Sequence, residues 1–132
     1  MPAFTSYLQS AVLNHVFGAT AFTKPTSLYV ALYTVAPNFS GGGTEVTGGS
    51  YSRRTATFDP ASVNGGSSVA ANSAALVWPA ATANWGTLTA VGIFDAVTGG
   101  NLLAYGLLQV QKTITTGDIF TIPDSGLTIS LS

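Results

Sequence analysis

The sequence contains no cysteine. Disulfides, thiolate nucleophiles and cysteine-ligated metal centres are therefore excluded, and the redox compartment stays open. Charge is nearly as scarce. Four Lys plus Arg and five Asp plus Glu make up 7% of the chain, where an average domain carries about 25%. With a formal net charge of −1 there is no basic footprint for a nucleic-acid backbone, no polybasic membrane patch and no acidic tail. No apolar run approaches the ~18 residues that would suggest a transmembrane helix. The first six residues lack the basic region of a secretory leader, so the expectation is a protein made and used without that export route.

Small neutral residues take the place of charge. The 132 residues include 31 Ser plus Thr, 18 Ala and 15 Gly. Seven Phe, five Tyr and two Trp argue against disorder, because disordered chains are poor in aromatics and rich in charge. The length fits one domain spanning residues 1–132, large enough to fold without staples. A free monomer usually keeps charge on its surface for solubility. A neutral surface of Ser, Thr and Ala suits a protein whose flanks are covered by neighbours. It also suits rigid β-rich proteins of extracellular particles.

Hydrophobic periodicity predicts one N-terminal helix over about residues 4–17. Phe4, Tyr7, Leu8, Ala11, Val12 and Val16 fall on one side, with Thr5 or Ser6 as the cap and Gly18 as a left-handed stop. From residue 27 to residue 131 the period changes to that of strands separated by glycine-rich turns. In Ser27–Thr34 the residues Leu28, Val30 and Leu32 alternate with Tyr29, Ala31 and Tyr33. Both faces are apolar, so this strand is central or its tyrosine face meets a partner. Further strands are expected over Tyr51–Phe58, Ala74–Trp78, Gly86–Phe94, Asn101–Gln111, Ile119–Ile122 and Leu127–Leu131. Pro37–Gly49, with five glycines, reads as a loop. The fold class that follows is mainly β: an antiparallel sandwich, jelly-roll-like, with one helix.

Catalytic chemistry finds few candidates. His15 is the lone histidine. It cannot make a metal site with scattered acids, and it reads as a structural or interface residue. The five acids fall mostly in turn contexts, where carboxylates cap backbone N–H groups. No calcium-loop, phosphate-loop or nucleophile-elbow pattern occurs. No catalytic, cofactor-binding or metal-binding residue is assigned. Arg53 and Arg54 are adjacent on an expected strand, so their side chains leave opposite faces; one can pair with an internal acid while the other meets a neighbour. Together with Tyr29, Tyr33, Phe39 and His15 they form the candidate interface set. Trp85, just before a strand, reads as a core plug.

Three blocks carry a family resemblance. The first runs from Ser6-Tyr7-Leu8 through Leu13-Asn14-His15-Val16-Phe17 to Pro25–Thr34 and Pro37. The second is Gly43-Thr44-Glu45-Val46 with Gly48–Arg53. The third is Trp85–Ala96 with Gly99–Leu103. Together they resemble small virion proteins of tailed bacteriophages, often labelled tail fibre protein, some of whose relatives are capsid cement (decoration) proteins. The resemblance implies a non-enzymatic structural role. It also implies a jelly-roll-like homotrimer bound to the major capsid protein, on the capsid exterior or in the tail. The first expectation is therefore a capsid cement protein that bridges major capsid subunits. The alternatives are a tail fibre or collar component and a host-glycan-binding module. No nucleic acid, membrane or small-molecule substrate is expected as a partner.

Overall fold

The computed structural model describes residues 3–131. Its main sheet has the order β1-β9-β8-β2-β3, built from Ala3–Phe4, Leu102–Ile114, Gly86–Phe94, Leu28–Val35 and Thr44–Glu45, with β4 (Arg54–Ala56) beside β3 along the same edge of β2. All pairings in it are antiparallel. Two smaller antiparallel sheets complete the fold. One pairs β7 (Leu76–Val77) with β10 (Thr121–Ile122); the other has the order β11-β6-β5, from Thr128–Leu131, Ser67–Ala71 and Ser62–Asn64. The expected class holds: an open, sandwich-like antiparallel fold with one helix.

The core lies on one face of the main sheet. Val30 and Leu32 of β2, Val91 and Ile93 of β8 and Ala104 of β9 pack with Trp78, Trp85, Phe120, Ile122 and Leu127. The alternation of β2 thus resolves into a fully apolar inner face. Trp78 is wholly buried and lies tilted against Phe120 at a ring-centroid distance of 5.5 Å. Its indole N–H finds no acceptor among the described residues. Trp85 is the expected plug: it is buried, meets Tyr51 edge-on, and donates from Nε1 to the Gly49 carbonyl at 2.9 Å.

A buried polar residue ties the small sheets together. Asn72 has no exposed surface. Its Nδ2 donates to the carbonyls of Ala74 and Pro123, at 2.8 and 3.0 Å, and its Oδ1 accepts from the Leu127 N–H at 2.8 Å. A buried amide with its partners in place fixes the approach of the last strand to β6, because any other register would leave it unsatisfied.

Helix α1 spans Ser6–Val16. It starts later than the periodicity suggests, because Phe4 joins β1 and pairs with Ala104. Thr5 is its cap, accepting from the Leu8 N–H, while its own hydroxyl donates to the Leu102 carbonyl at 2.6 Å. The expected left-handed stop is corrected. Gly18 is absent from the positive-φ residues, yet its N–H donates to the carbonyls of Leu13 and Asn14. What requires glycine there is space, since a Cβ would come 3.1 Å from the Asn14 backbone.

Several expected strands are shorter. Tyr51–Phe58 reduces to β4, since the chain before it is engaged in a turn where Gly48, Gly49 and Ser50 all have positive φ. The expected loop over 37–49 contains β3.

Candidate interaction surface

The second face of the main sheet carries Tyr33, Ala31 and Tyr29 of β2 opposite Ala90, Gly92 and Phe94 of β8. Its central residues are small, and larger side chains from the same sheet lie over them. A Cβ on Gly92 would come 2.8 Å from both Tyr33 Cε1 and Leu102 Cδ1. The Tyr33 ring and the Leu102 side chain therefore roof this position. Such a roof fits only over a residue without a side chain.

A charged cluster closes the edge of this face. Arg53 Nε and Nη2 donate to the two carboxylate oxygens of Glu45, each at 2.9 Å. This is the bidentate geometry that favours arginine over lysine. Arg53 Nη1 donates to the carbonyls of Ala96 and Gly99, both at 2.8 Å, and the guanidinium carbon lies 3.6 Å from the centre of the Phe94 ring. Tyr51 donates to Glu45 Oε2 at 2.7 Å and accepts from the Leu32 N–H at 3.0 Å. One cationic side chain so joins β3, the start of β4 and the turn between β8 and β9.

Electrostatics follow this packing. Burial first, and then the negative charge of Glu45, push the Tyr33 phenol up to about 12, with Arg53 opposing. Burial and the hydrogen bond to Glu45 also raise Tyr51. Burial disfavours the Arg53 cation, but the hydrogen bonds and charge of Glu45 outweigh it and raise its pKa. Burial opposes ionisation of Asp95 too, yet its carboxyl is held below the ordinary value by the donors of Asn101 and by the nearby Arg53 charge.

The six candidate residues are not gathered into one patch. Arg53 is turned inward, its side chain 8% exposed, and four N–H···O bonds occupy it. Arg54 is exposed on the edge strand β4. Tyr33 is buried and Tyr29 half-buried on the second face. Phe39 is exposed, and its carbonyl accepts the Ser6 N–H at 2.9 Å, so the 37–41 turn holds the start of α1. His15 is exposed near the other end of α1, where its Nδ1 accepts the Phe22 N–H at 3.0 Å and steadies the chain leaving the helix.

Sequence reasoning missed Glu45, Tyr51 and Phe94 as partners of Arg53. The available signal was that Glu45 and Arg53 flank a Gly48-Gly49 turn that brings them back together. It also missed the exposure of α1. No residue of this helix is buried; Leu13 and Val16 are largely exposed, and Phe17 at its end is 82% exposed. Among the described residues no group of three or more His, Asp or Glu is placed to hold a metal ion, and no helix is long and apolar enough to cross a membrane.

The fold is a charge-poor, mainly β antiparallel one whose single helix keeps apolar side chains exposed. The chain belongs to the family of podophage GP4 fiber I protein gp80, which it matches over residues 3–130. It is accordingly a tailed-phage virion structural protein of a fibre-protein family. No curated protein matches it.

Proposed function

We propose that the chain is a non-enzymatic packing component of the phage fibre, held in the particle through the exposed side of α1. The observation that carries this reading is the helix itself. Its eleven residues include no buried one, yet Leu13 and Val16 are more than half exposed and Phe17 follows at its end. Fully burying apolar side chains of this size is worth roughly 1.5–3 kcal/mol each. Their contact with a neighbouring subunit therefore supplies a driving force that the isolated chain leaves unused. The family's name favours the fibre as the location. The helix surface is almost free of charge, so association pays little to desolvate ions.

A second reading is a capsid cement protein bridging major capsid subunits as a homotrimer. It is favoured by the lack of a repeated shaft-like element among the described residues. Quantitative mass spectrometry of purified virions, with immunogold labelling of this chain, tests both. A fibre component appears in small multiples and labels the tail. Copies in the hundreds with label on the head transfer the assignment to cement. Absence from purified particles overturns both.

A further inference from the structure

We propose that Asn64, at the tip of the hairpin formed by β5 and β6, is a site of covalent modification: the Gly65 backbone nitrogen closes onto the Asn64 side chain, and water opens the ring to aspartate and isoaspartate. The proposal does not depend on where in the virion the chain sits. Asn64 is the one asparagine of the sequence that precedes glycine. Asn64 and Ser67 form the last register pair of the hairpin, with Gly65-Gly66 as its two-residue turn. Gly65 has a φ of 64°, whereas Gly66 is absent from the positive-φ residues. That is the pattern of a type II′ turn, which takes glycine at its first central position.

Nothing shields either reacting group. Residues 61–66 are all exposed. Neither the Asn64 side-chain amide nor the Gly65 N–H makes a hydrogen bond among the described residues. A Cβ at Gly65 or Gly66 would meet nothing within 4 Å, so the attack has room. Ring closure does require Asn64 to leave its strand conformation, in which the side chain stands away from the following amide. That costs little here. β5 lies at the edge of its sheet and pairs with β6 alone, so only the terminal pair is given up. Val63 beside it is already 81% exposed, so no apolar burial is lost. Openings of this kind lie at the low end of native fluctuations. The other asparagines are held back. The side chains of Asn38, Asn72, Asn84 and Asn101 are engaged in hydrogen bonds, and Asn14 lies inside α1.

The bonds balance with water as the only co-reactant. The Gly65 nitrogen bonds to the side-chain carbonyl carbon of Asn64. The bond from that carbon to Nδ2 breaks, and ammonia leaves with the proton given up by the Gly65 N–H. The product is a cyclic succinimide. Water then breaks one of the two bonds from the ring nitrogen to a carbonyl carbon. Breaking the new bond gives aspartate; breaking the original peptide bond gives isoaspartate, whose main chain runs through the former side chain. Either product adds one negative charge to a chain whose formal net charge is −1. Isoaspartate also lengthens the backbone at residue 64 by one carbon, which removes the pairing with Ser67 and leaves a shorter hairpin. The tip thereby becomes a mark of the age of the protein.

The test is incubation of the purified full chain in 18O-enriched water at neutral and at mildly alkaline pH, read by isoelectric focusing and peptide mass mapping. The peptide holding residue 64 is expected to take up one 18O, faster at the higher pH, and an isoaspartyl methyltransferase should label it. The folded chain should convert no more than about tenfold more slowly than the guanidinium-unfolded chain, the factor for giving up about one net hydrogen bond. Asn64→Ser, on an exposed tip, should keep the wild-type melting temperature and show no acidic shift. The proposal is overturned if the folded chain stays unmodified while the unfolded chain converts, or if Asn64→Ser acidifies at the wild-type rate. Aspartate formed without isoaspartate would mean direct hydrolysis of the side chain rather than attack by Gly65, and would equally overturn it.

Discussion

The two faces of the main sheet are made by the same three strands and are built on different terms. The inner face of β2, β8 and β9 is branched aliphatics and alanine, covered by a second layer that brings Trp78, Phe120 and Ile122 onto it. The other face is alanine and glycine roofed by Tyr33, Phe94 and Leu102, with an Arg53–Glu45 pair at its edge in place of a covering sheet. The inner face is held by volume and the outer one by geometry: a bidentate ion pair, a ring over a glycine, a helix start tied to a turn. Volume tolerates exchange of similar side chains, whereas geometry tolerates little.

Substitutions ranked by size sharpen this contrast. Trp78→Ala should cost the most, about 3–5 kcal/mol, as for other large buried aromatics, while Trp78→Phe should cost far less because it also removes an indole N–H without a partner. Chemical denaturation of both variants reads the difference. If the two are equally damaging, the inner face is not held by volume. Arg53→Ala should follow at about 2–3 kcal/mol, between the worth of exposed and buried ion pairs, because Glu45 and two carbonyls lose their donors together. Arg53→Lys should recover only part of it, since an ammonium cannot make the fork. Full recovery by lysine would reduce the cluster to a simple charge contact.

Gly92→Ala should cost roughly 1–3 kcal/mol, the usual penalty of overpacking, by lifting the Tyr33 ring. The same variant should bring the Tyr33 phenol back toward its ordinary value, a change that spectrophotometric titration detects. The smallest effect concerns pH. Unfolded phenols ionise near pH 10, while Tyr33 in the fold holds its proton up to about 12. Its contribution is thus fully present below pH 10 and is lost as pH rises from 10 through 12. Melting temperatures across that window should fall less steeply in Tyr33→Phe. Identical slopes would mean that burial of this phenol is not coupled to folding.

Much of this was legible in the sequence, and the limits have physical causes. The period-two alternation of residues 28–34 marked a strand with two apolar faces, and the structure places it between β8 and the short edge strands. Alternation is a local signal, so it survives without knowledge of the partner strand. The turn role expected of Asp118 held, since its carboxylate accepts from the Thr115 N–H. What escaped was long-range. Nothing in the run Tyr51–Phe58 reveals that three positive-φ residues just before it, Gly48, Gly49 and Ser50, turn the chain so that Arg53 meets Glu45. Nothing local to Asn72 signals its burial, because two of its partners come from Pro123 and Leu127, far along the chain. The helix showed the opposite failure. The stripe its apolar periodicity marks is half-buried at Leu8, Ala11 and Val12, but Val16 of that stripe and Leu13 outside it are more than half exposed. Periodicity reports that a helix has an apolar side, not that this chain covers it.

That uncovered side of α1 is the basis of the packing role, and the most direct measurement of it is incorporation into particles. Virions assembled with Leu13→Ser/Phe17→Ser in place of the wild-type chain should contain at least about tenfold less of it, as loss of two buried apolar contacts predicts, while the purified variant melts at the wild-type temperature. Wild-type copy number in those virions, with the variant folded, would contradict attachment through α1.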